Sequence, residues 1–331
     1  MNLSKIVACS LLGFIVNANA FDVAVANEKS SKGFEPVSIK TWEAPDETKI
    51  PNNIFGDYVK YGKALISETY KYIGPEVKDK NMRFAGNNLA CSSCHQNGGT
   101  KKWSAPFYST VSNFPQYRPR EDSIGTIEDR INGCMTRSMN GKSLPSNGKE
   151  MKAMVSYMHW LGQGIPVGAK VVGDDFPKID RKIIMNRAAD PVAGEKVYKA
   201  QCSSCHGENG QGQKREGKAN GYVYPPLWGN DSYNIGAGMY RVIKAADWIS
   251  ANMPYGATKE NKILTDDEAY DVAAYINNYD KKRPVKKDRQ KDFPNLSVKA
   301  PDMDMGPYSD DKTDKEHKFG PYKGIILPAK K

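Results

Sequence analysis

This sequence predicts a mainly α fold in which one small domain is used twice in tandem, with irregular N- and C-terminal extensions. Three observations predict it. The pentapeptide Cys-Ser-Ser-Cys-His occurs at residues 91–95 and again at 202–206. Ahead of each copy stands a glycine followed three residues later by an apolar pair, Gly62 with Leu65-Ile66 and Gly194 with Val197-Tyr198. After each copy comes a helical stripe with an aromatic one residue away, Tyr157 or Tyr275. A motif repeated together with its flanks points to a duplicated unit.

Cys-x-x-Cys-His is the attachment signature of a c-type haem. The two thiols add across the porphyrin vinyl groups, and the adjacent histidine becomes an axial iron ligand. A zinc site would pair two Cys-x-x-Cys knuckles, whereas here each is followed by histidine and they lie 111 residues apart. The chain is therefore expected to carry two covalently bound haem c groups, on Cys91 and Cys94 and on Cys202 and Cys205. His95 and His206 are the expected proximal ligands.

The 331 residues suffice for two modest domains with cores of their own. Residues 1–20 read as a secretory signal: Lys5, then the apolar run Ile6 to Val16, then Ala18-Asn-Ala20 as a small-residue cleavage site. A lipoprotein box at Cys9 fits less well, because most of the apolar run follows Cys9. The run is too short to span a bilayer, and no later stretch is apolar for long enough. Export to the periplasm suits haem attachment. The formal charge of +10 calls for an anionic partner or a solvated basic surface, and export argues against nucleic acid. Much of the excess lies in residues 281–331, with 14 Lys/Arg against 8 Asp/Glu. Of the six cysteines, Cys9 leaves with the signal and four hold haem, so Cys134 is left over. An unpaired cysteine in an exported chain is either a buried inert thiol, an intermolecular disulfide, or functional.

In chain order, residues 21–50 read as an N-terminal extension lying along the first domain, 51–165. A helical pattern starts at Asp57 (Tyr58, Tyr61, Leu65, Ile66, Thr69, Tyr72) and ends at Gly74-Pro75. The closing helix of this domain has Asn147 and Glu150 in cap positions, then Met151, Met154, Val155 and Met158. Gly, Pro and Asp residues make 166–189 a linker. The second domain, 190–280, opens with Asp190 as N-cap and Pro191 at the first helical position. It closes with the capping box Thr265 to Glu268 and the stripe Ala269, Val272, Ala273, Ile276. A helix before the haem motif and a helix at the end is the plan of cytochrome c-like domains. Residues 281–331 form a basic C-terminal extension, with Lys281 to Lys318 expected as loop and His317 exposed in it.

The occupant of each sixth iron position decides what each haem does. For the second haem, Met253 in Asn252-Met253-Pro254-Tyr255-Gly256 stands where small cytochromes c place a distal methionine. For the first, counting back from Tyr157 by the spacing that separates Met253 from Tyr275 reaches Met135, and one residue further reaches Cys134. Register leaves both open; the coincidence with the odd thiol favours Cys134. Around it, Arg130, Arg137, Lys142 and Ser138 could line a small-anion pocket, or be solvated residues of a helix.

The paired haem motifs, Arg-x-x-x-Cys-x-x-x-Ser-x-Asn-Gly from Arg130 to Gly141, and Asn-Met-Pro-Tyr-Gly from Asn252 together resemble the dihaem thiosulfate dehydrogenases, over about residues 50 to 280. The resemblance implies that Cys134 ligates the first iron as a thiolate and is the catalytic residue. It implies that Arg130 and Ser138 help hold substrate, and that Met253 ligates an electron-transferring second haem. Some members carry a lysine beside that methionine; here the position is Asn252. The implied reaction joins two thiosulfates into tetrathionate, or runs backwards, with a small periplasmic c-type cytochrome as redox partner. A dihaem cytochrome that only carries electrons, and a dihaem peroxidase, are the alternatives.

Overall fold

Two packed helix pairs, one from each half of the chain, carry the fold in the computed structural model, which describes residues 37–217 and 220–325. The expected signal at 1–20 lies outside the described residues. Strand β1 (Ser38–Ile39) pairs in parallel with β4 (Lys170–Val171), so the end of the N-terminal extension lies beside the start of the linker. Helix α1 (Ile54–Ser67) begins three residues before the sequence pattern suggests, because the Asn53 side chain caps it by accepting from the Gly56 amide. It also breaks early. Glu68 leaves helical geometry and α2 (Thr69–Ile73) starts anew, with the Thr69 hydroxyl donating back to the Leu65 carbonyl at 2.7 Å.

Short helices α3 (Gln96–Gly99) and α4 (Thr110–Asn113) follow the first haem motif, then the hairpin β2 (Gln116–Arg118) and β3 (Ser123–Gly125). Helix α5 (Ile127–Arg137) opens on a Thr126–Asp129 capping box. The closing helix α6 (Lys149–Leu161) is capped by Gly148 rather than Asn147, with no side-chain bond. The linker contributes α7 (Arg181–Asn186). Helix α8 (Pro191–Gln201) has the expected Asp190 cap and Pro191 start. After it come α9 (Ser203–His206), the strands β5 (Gln213–Lys214) and β6 (Tyr222–Tyr224), α10 (Val242–Asn252) and α11 (Asp266–Ile276). Thr265 and Glu268 form the expected box on α11.

The two pairs are built alike at their crossings. A Cβ on Gly62 of α1 would lie 2.0 Å from the Ala153 carbonyl oxygen and 2.9 Å from the Tyr157 Cβ. A Cβ on Gly194 of α8 would lie 2.0 Å from the Asp271 carbonyl oxygen and 2.9 Å from the Tyr275 Cβ. Backbones this close admit only glycine, which is why the same residue recurs at the same place in both units. Each pair has its own core: Val59, Leu65, Met151, Met154 and Leu161 in the first, Tyr198, Val242, Ile249, Val272 and Ile276 in the second.

The C-terminal extension departs from expectation. It is largely irregular, but α12 (Asp314–Phe319) starts at a Thr313–Glu316 capping box and turns three residues inward. His317 is buried, not exposed. Its Nδ1 faces the Pro301 carbonyl at 2.8 Å, its Nε2 meets Asp310 at 3.0 Å, and its ring stacks on Tyr308. Lys318 and Arg289 are also buried, both partnered by Asp304. Nearby carboxylates make that burial tolerable for a basic segment. No helix among the described residues is long and apolar enough to cross a membrane.

Candidate active site

The first pentapeptide is pinned to the end of α1 and the start of α2. Cys91–Ser93 is one 3-10 turn. The Cys91 amide donates to Thr69 Oγ1 at 3.1 Å, and Ser92 Oγ donates to the Ile66 carbonyl at 2.9 Å. His95 Nδ1 donates to the Ala105 carbonyl, and Phe107 tilts against the ring at 4.4 Å between centroids. A ring nitrogen bonded to a carbonyl must carry the proton, which leaves Nε2 with the lone pair a metal needs.

Cys134, presented by α5, lies close enough to that ring for His95 to act on the charge of its sulfur. Arg130, one turn earlier, donates from Nη1 to Cys134 Sγ at 2.9 Å. Burial alone would push the Cys134 thiol up. Arg130 first, then His95 and the more distant Arg137, outweigh it and bring the thiol down to about 5. Burial pushes Cys91 up to about 11 and Cys94 up to about 12, with the Cys134 charge adding to both. One thiolate and two neutral thiols therefore meet beside one imidazole. Met135, the register alternative, is packed in the first core.

The remaining predicted pocket residues separate. Ser138 sits at the C-terminal end of α5, one turn beyond Cys134, its carbonyl accepting from Asn87 Nδ2 at 2.9 Å. Arg137 turns toward Glu121 (3.2 Å), which also holds Arg118 at 2.9 Å. Both arginines line a polar cleft of about 890 Å³ that includes Asp129, Thr136 and Asn234. Lys142 is exposed, its ammonium 5.0 Å over the Phe84 ring. Asn140 and Gly141 have a structural part: Asn140 has φ of 47°, and a Cβ on Gly141 would lie 2.0 Å from the Phe84 carbonyl oxygen. They turn the chain where it crosses the segment leading to the first haem motif.

At the second pentapeptide His206 is buried and its Nδ1 donates to the Pro225 carbonyl at 2.8 Å, again leaving Nε2 available. Burial lowers its pKa and pushes the Cys202 thiol up to about 11. Tyr198 donates to the Gly207 carbonyl at 2.6 Å and fixes the turn after the motif. Met253 follows the last residue of α10 and packs against the second core, as Cys202 does. Met303 packs in a separate cluster with Phe293 and Ala300, and His317 is engaged by Asp310. All five described cysteines are free thiols and each motif histidine keeps one nitrogen open, so the residues fit haem c at both motifs.

Sequence reasoning missed the residues that join the two units here. Trp248 Nε1 donates to the Cys94 carbonyl at 3.2 Å, and Asn252 Nδ2 to the Trp103 carbonyl at 2.9 Å. The Asn88 amide donates to Asp231 at 2.8 Å. The signal available was the stripe Val242, Ala245, Ala246 and Ile249, which marks α10 but not what its other face touches.

Comparison with known proteins finds a cytochrome c family match in each half of the chain. The family described as "SoxA/TsdA, cytochrome c domain" matches residues 81–167, and "Cytochrome c" matches residues 191–280. The thiosulfate dehydrogenase of Psychrobacter arcticus is 40% identical over 255 residues, covering 77% of this chain and 72% of that protein. The chain belongs to the thiosulfate dehydrogenase family. The family member from Thiomonas intermedia is 38% identical over 260 residues, 78% of this chain and 77% of its own length. A solved structure, the as-isolated thiosulfate dehydrogenase TsdBA from Marichromatium purpuratum, aligns with a TM-score of 0.63 at 32% identity. It covers 76% of this chain, and this chain spans half of that one. The cytochrome c domain matches imply that the chain binds haem c.

Proposed function

We propose that this chain is an exported dihaem enzyme that joins two thiosulfates into tetrathionate, and that Cys134 is its catalytic residue. Its class, an oxidoreductase acting on sulfur compounds, follows from the family. One observation carries the assignment of the site: the spare thiol Cys134 has Arg130 on its sulfur at 2.9 Å, close enough to His95 for that ring to act on its charge. Cys91 and Cys94 would hold the first haem covalently, and His95 and Cys134 would ligate its iron. Cys202 and Cys205 would hold the second, with His206 and Met253. When bound, haem c supplies iron and one-electron carriers beside these residues.

The chain's own residues account for the sulfur chemistry. Thiosulfate is a dianion, and Arg130 offers it fixed positive charge at the thiolate. The Cys134 sulfur forms a bond to the sulfane sulfur of the first thiosulfate as two electrons leave for the outside acceptor, giving Cys134–S–S–SO3⁻. The sulfane sulfur of a second thiosulfate then attacks the outer sulfur of that adduct. Cys134 leaves as thiolate and tetrathionate departs. Cys134 is a good leaving group because Arg130 and His95 stabilise its anion. Ser138, one turn away, would donate to a sulfonate oxygen. The same steps reversed reduce tetrathionate.

Residues 1–20 as signal, the periplasm as location and a small c-type cytochrome as partner belong to the same reading, with 51–165 and 190–280 as the two haem domains. The test is an anaerobic assay of the holoprotein in both directions, with the haem spectrum followed on substrate addition. Thiosulfate-dependent reduction of an acceptor supports the reading; spectra and rates indifferent to both sulfur compounds overturn it.

A further inference from the structure

Helix α10 belongs by sequence to the second unit, yet one of its faces looks at the first. Trp248 and Asn252 both donate to carbonyls around the first haem motif, those of Cys94 and Trp103. Residues four apart share a helix face. Lys244 stands one turn before Trp248 in that row, half-buried, with its ammonium 5.3 Å from the Phe176 ring.

Charges of both signs stand around Lys244, Arg241 and Arg130 against Asp175 and Asp302. Burial first, then the charges of Arg241 and Arg130, hold its ammonium at about 8, well below an ordinary lysine; Asp175 and Asp302 act on it only from beyond ion-pair distance. The arginines that act on Cys134 or on Lys244, and their neighbours, are committed. Arg130 bonds the Cys134 sulfur and Arg241 pairs with Asp302. Arg137 and Arg118 share Glu121, and Arg120 pairs with Asp292. Lys244 has no ion pair and no hydrogen bond among the described residues. A half-buried ammonium without an ion pair is unfavourable, and an arriving anion relieves it.

The proposed chemistry needs such a group. Arg130 is occupied by the thiolate and the first thiosulfate, so the second dianion must be drawn to a site already carrying negative charge. We propose that Lys244 holds the sulfonate end of the second thiosulfate, making the active site a composite of both haem domains. This rests on the reading of Cys134 as the sulfur-accepting group. It also gives α10 a reason to reach across: the helix that ends in Met253 carries a substrate contact two and a half turns earlier.

Wild-type, Lys244→Met and Lys244→Arg holoproteins decide the matter in two measurements. One is steady-state thiosulfate oxidation with ferricyanide; the other is equilibrium titration of thiosulfate followed through haem absorption. The Met variant is expected to raise KM at least about tenfold with kcat changed less than about threefold, and to shift the titration likewise. Arg at this position should restore both to within about threefold. A Met variant with both haems present that saturates as the wild type does overturns the proposal. Should that variant not accumulate with haem, Lys244→Gln, close in length and uncharged, is read by the same criteria. A wild type that does not oxidise thiosulfate would instead sink the function reading itself.

Discussion

Arg130 and Cys134 lie one turn apart on α5, and their 2.9 Å contact favours the anion of a half-buried sulfur. A charge-assisted bond of this kind is worth roughly 1.5–3 kcal/mol. Arg130→Ala is accordingly expected to raise the thiosulfate concentration needed for half-saturation by about 10- to 100-fold. A saturation curve matching the wild type would remove Arg130 from the pocket. Cys134 itself was legible in the sequence because haem attachment consumes cysteines in pairs and one was left over. Its competition with Met135 was not decidable there, since register alone separates neighbours by a single residue. Helix geometry separates them by about 100°, and the fold puts Met135 in the core and Cys134 against His95. Arg137 and Lys142 read as pocket cations from their spacing, but Glu121 and Phe84, distant in sequence, engage them.

Among the elements, those with local causes were readable. Asp190-Pro191 and the Thr265–Glu268 box start α8 and α11 as their chemistry requires. Glycines 62 and 194 were visible as a repeat, though the carbonyl each one admits at the crossing was not. The basic extension was misread because burial of charge depends on partners elsewhere in the fold. Lys318 on α12 is fully buried, donating to the Tyr240 carbonyl at 3.0 Å and lying 3.4 Å from Asp304. Burial, with Arg289 and Arg283 adding to it and Asp304 opposing, lowers its pKa to about 7. The folded-state value is below the unfolded lysine value, so between about pH 7 and about pH 10 the unfolded chain binds more protons. The contribution of Lys318 to stability therefore rises with pH across that window. In thermal melts the wild type should gain on Lys318→Met as pH goes from 7 to 9. A difference in Tm that stays constant with pH would contradict the burial argument.

At the scale of the molecule, the proposed reading gives two units built on one plan unequal work. The equality is in the scaffold: paired helices, glycine crossings, and a histidine whose Nδ1 is fixed by a carbonyl. On the proposed reading the inequality is in the second iron ligand, Cys134 with Arg130 on its sulfur in the first unit and Met253 in the second. Trp248 and Asn252 tie the units together beside the first motif, so the sulfur site and the route for electrons form one body. The measurement that tests this division most directly is made on Cys134→Ser. Its haem content, its reduction by dithionite and its thiosulfate turnover are compared with the wild type. The account predicts both haems bound and reducible, with turnover lost by about 10³-fold or more, as removal of a covalent nucleophile entails. Turnover retained within about tenfold in a fully loaded variant would contradict it.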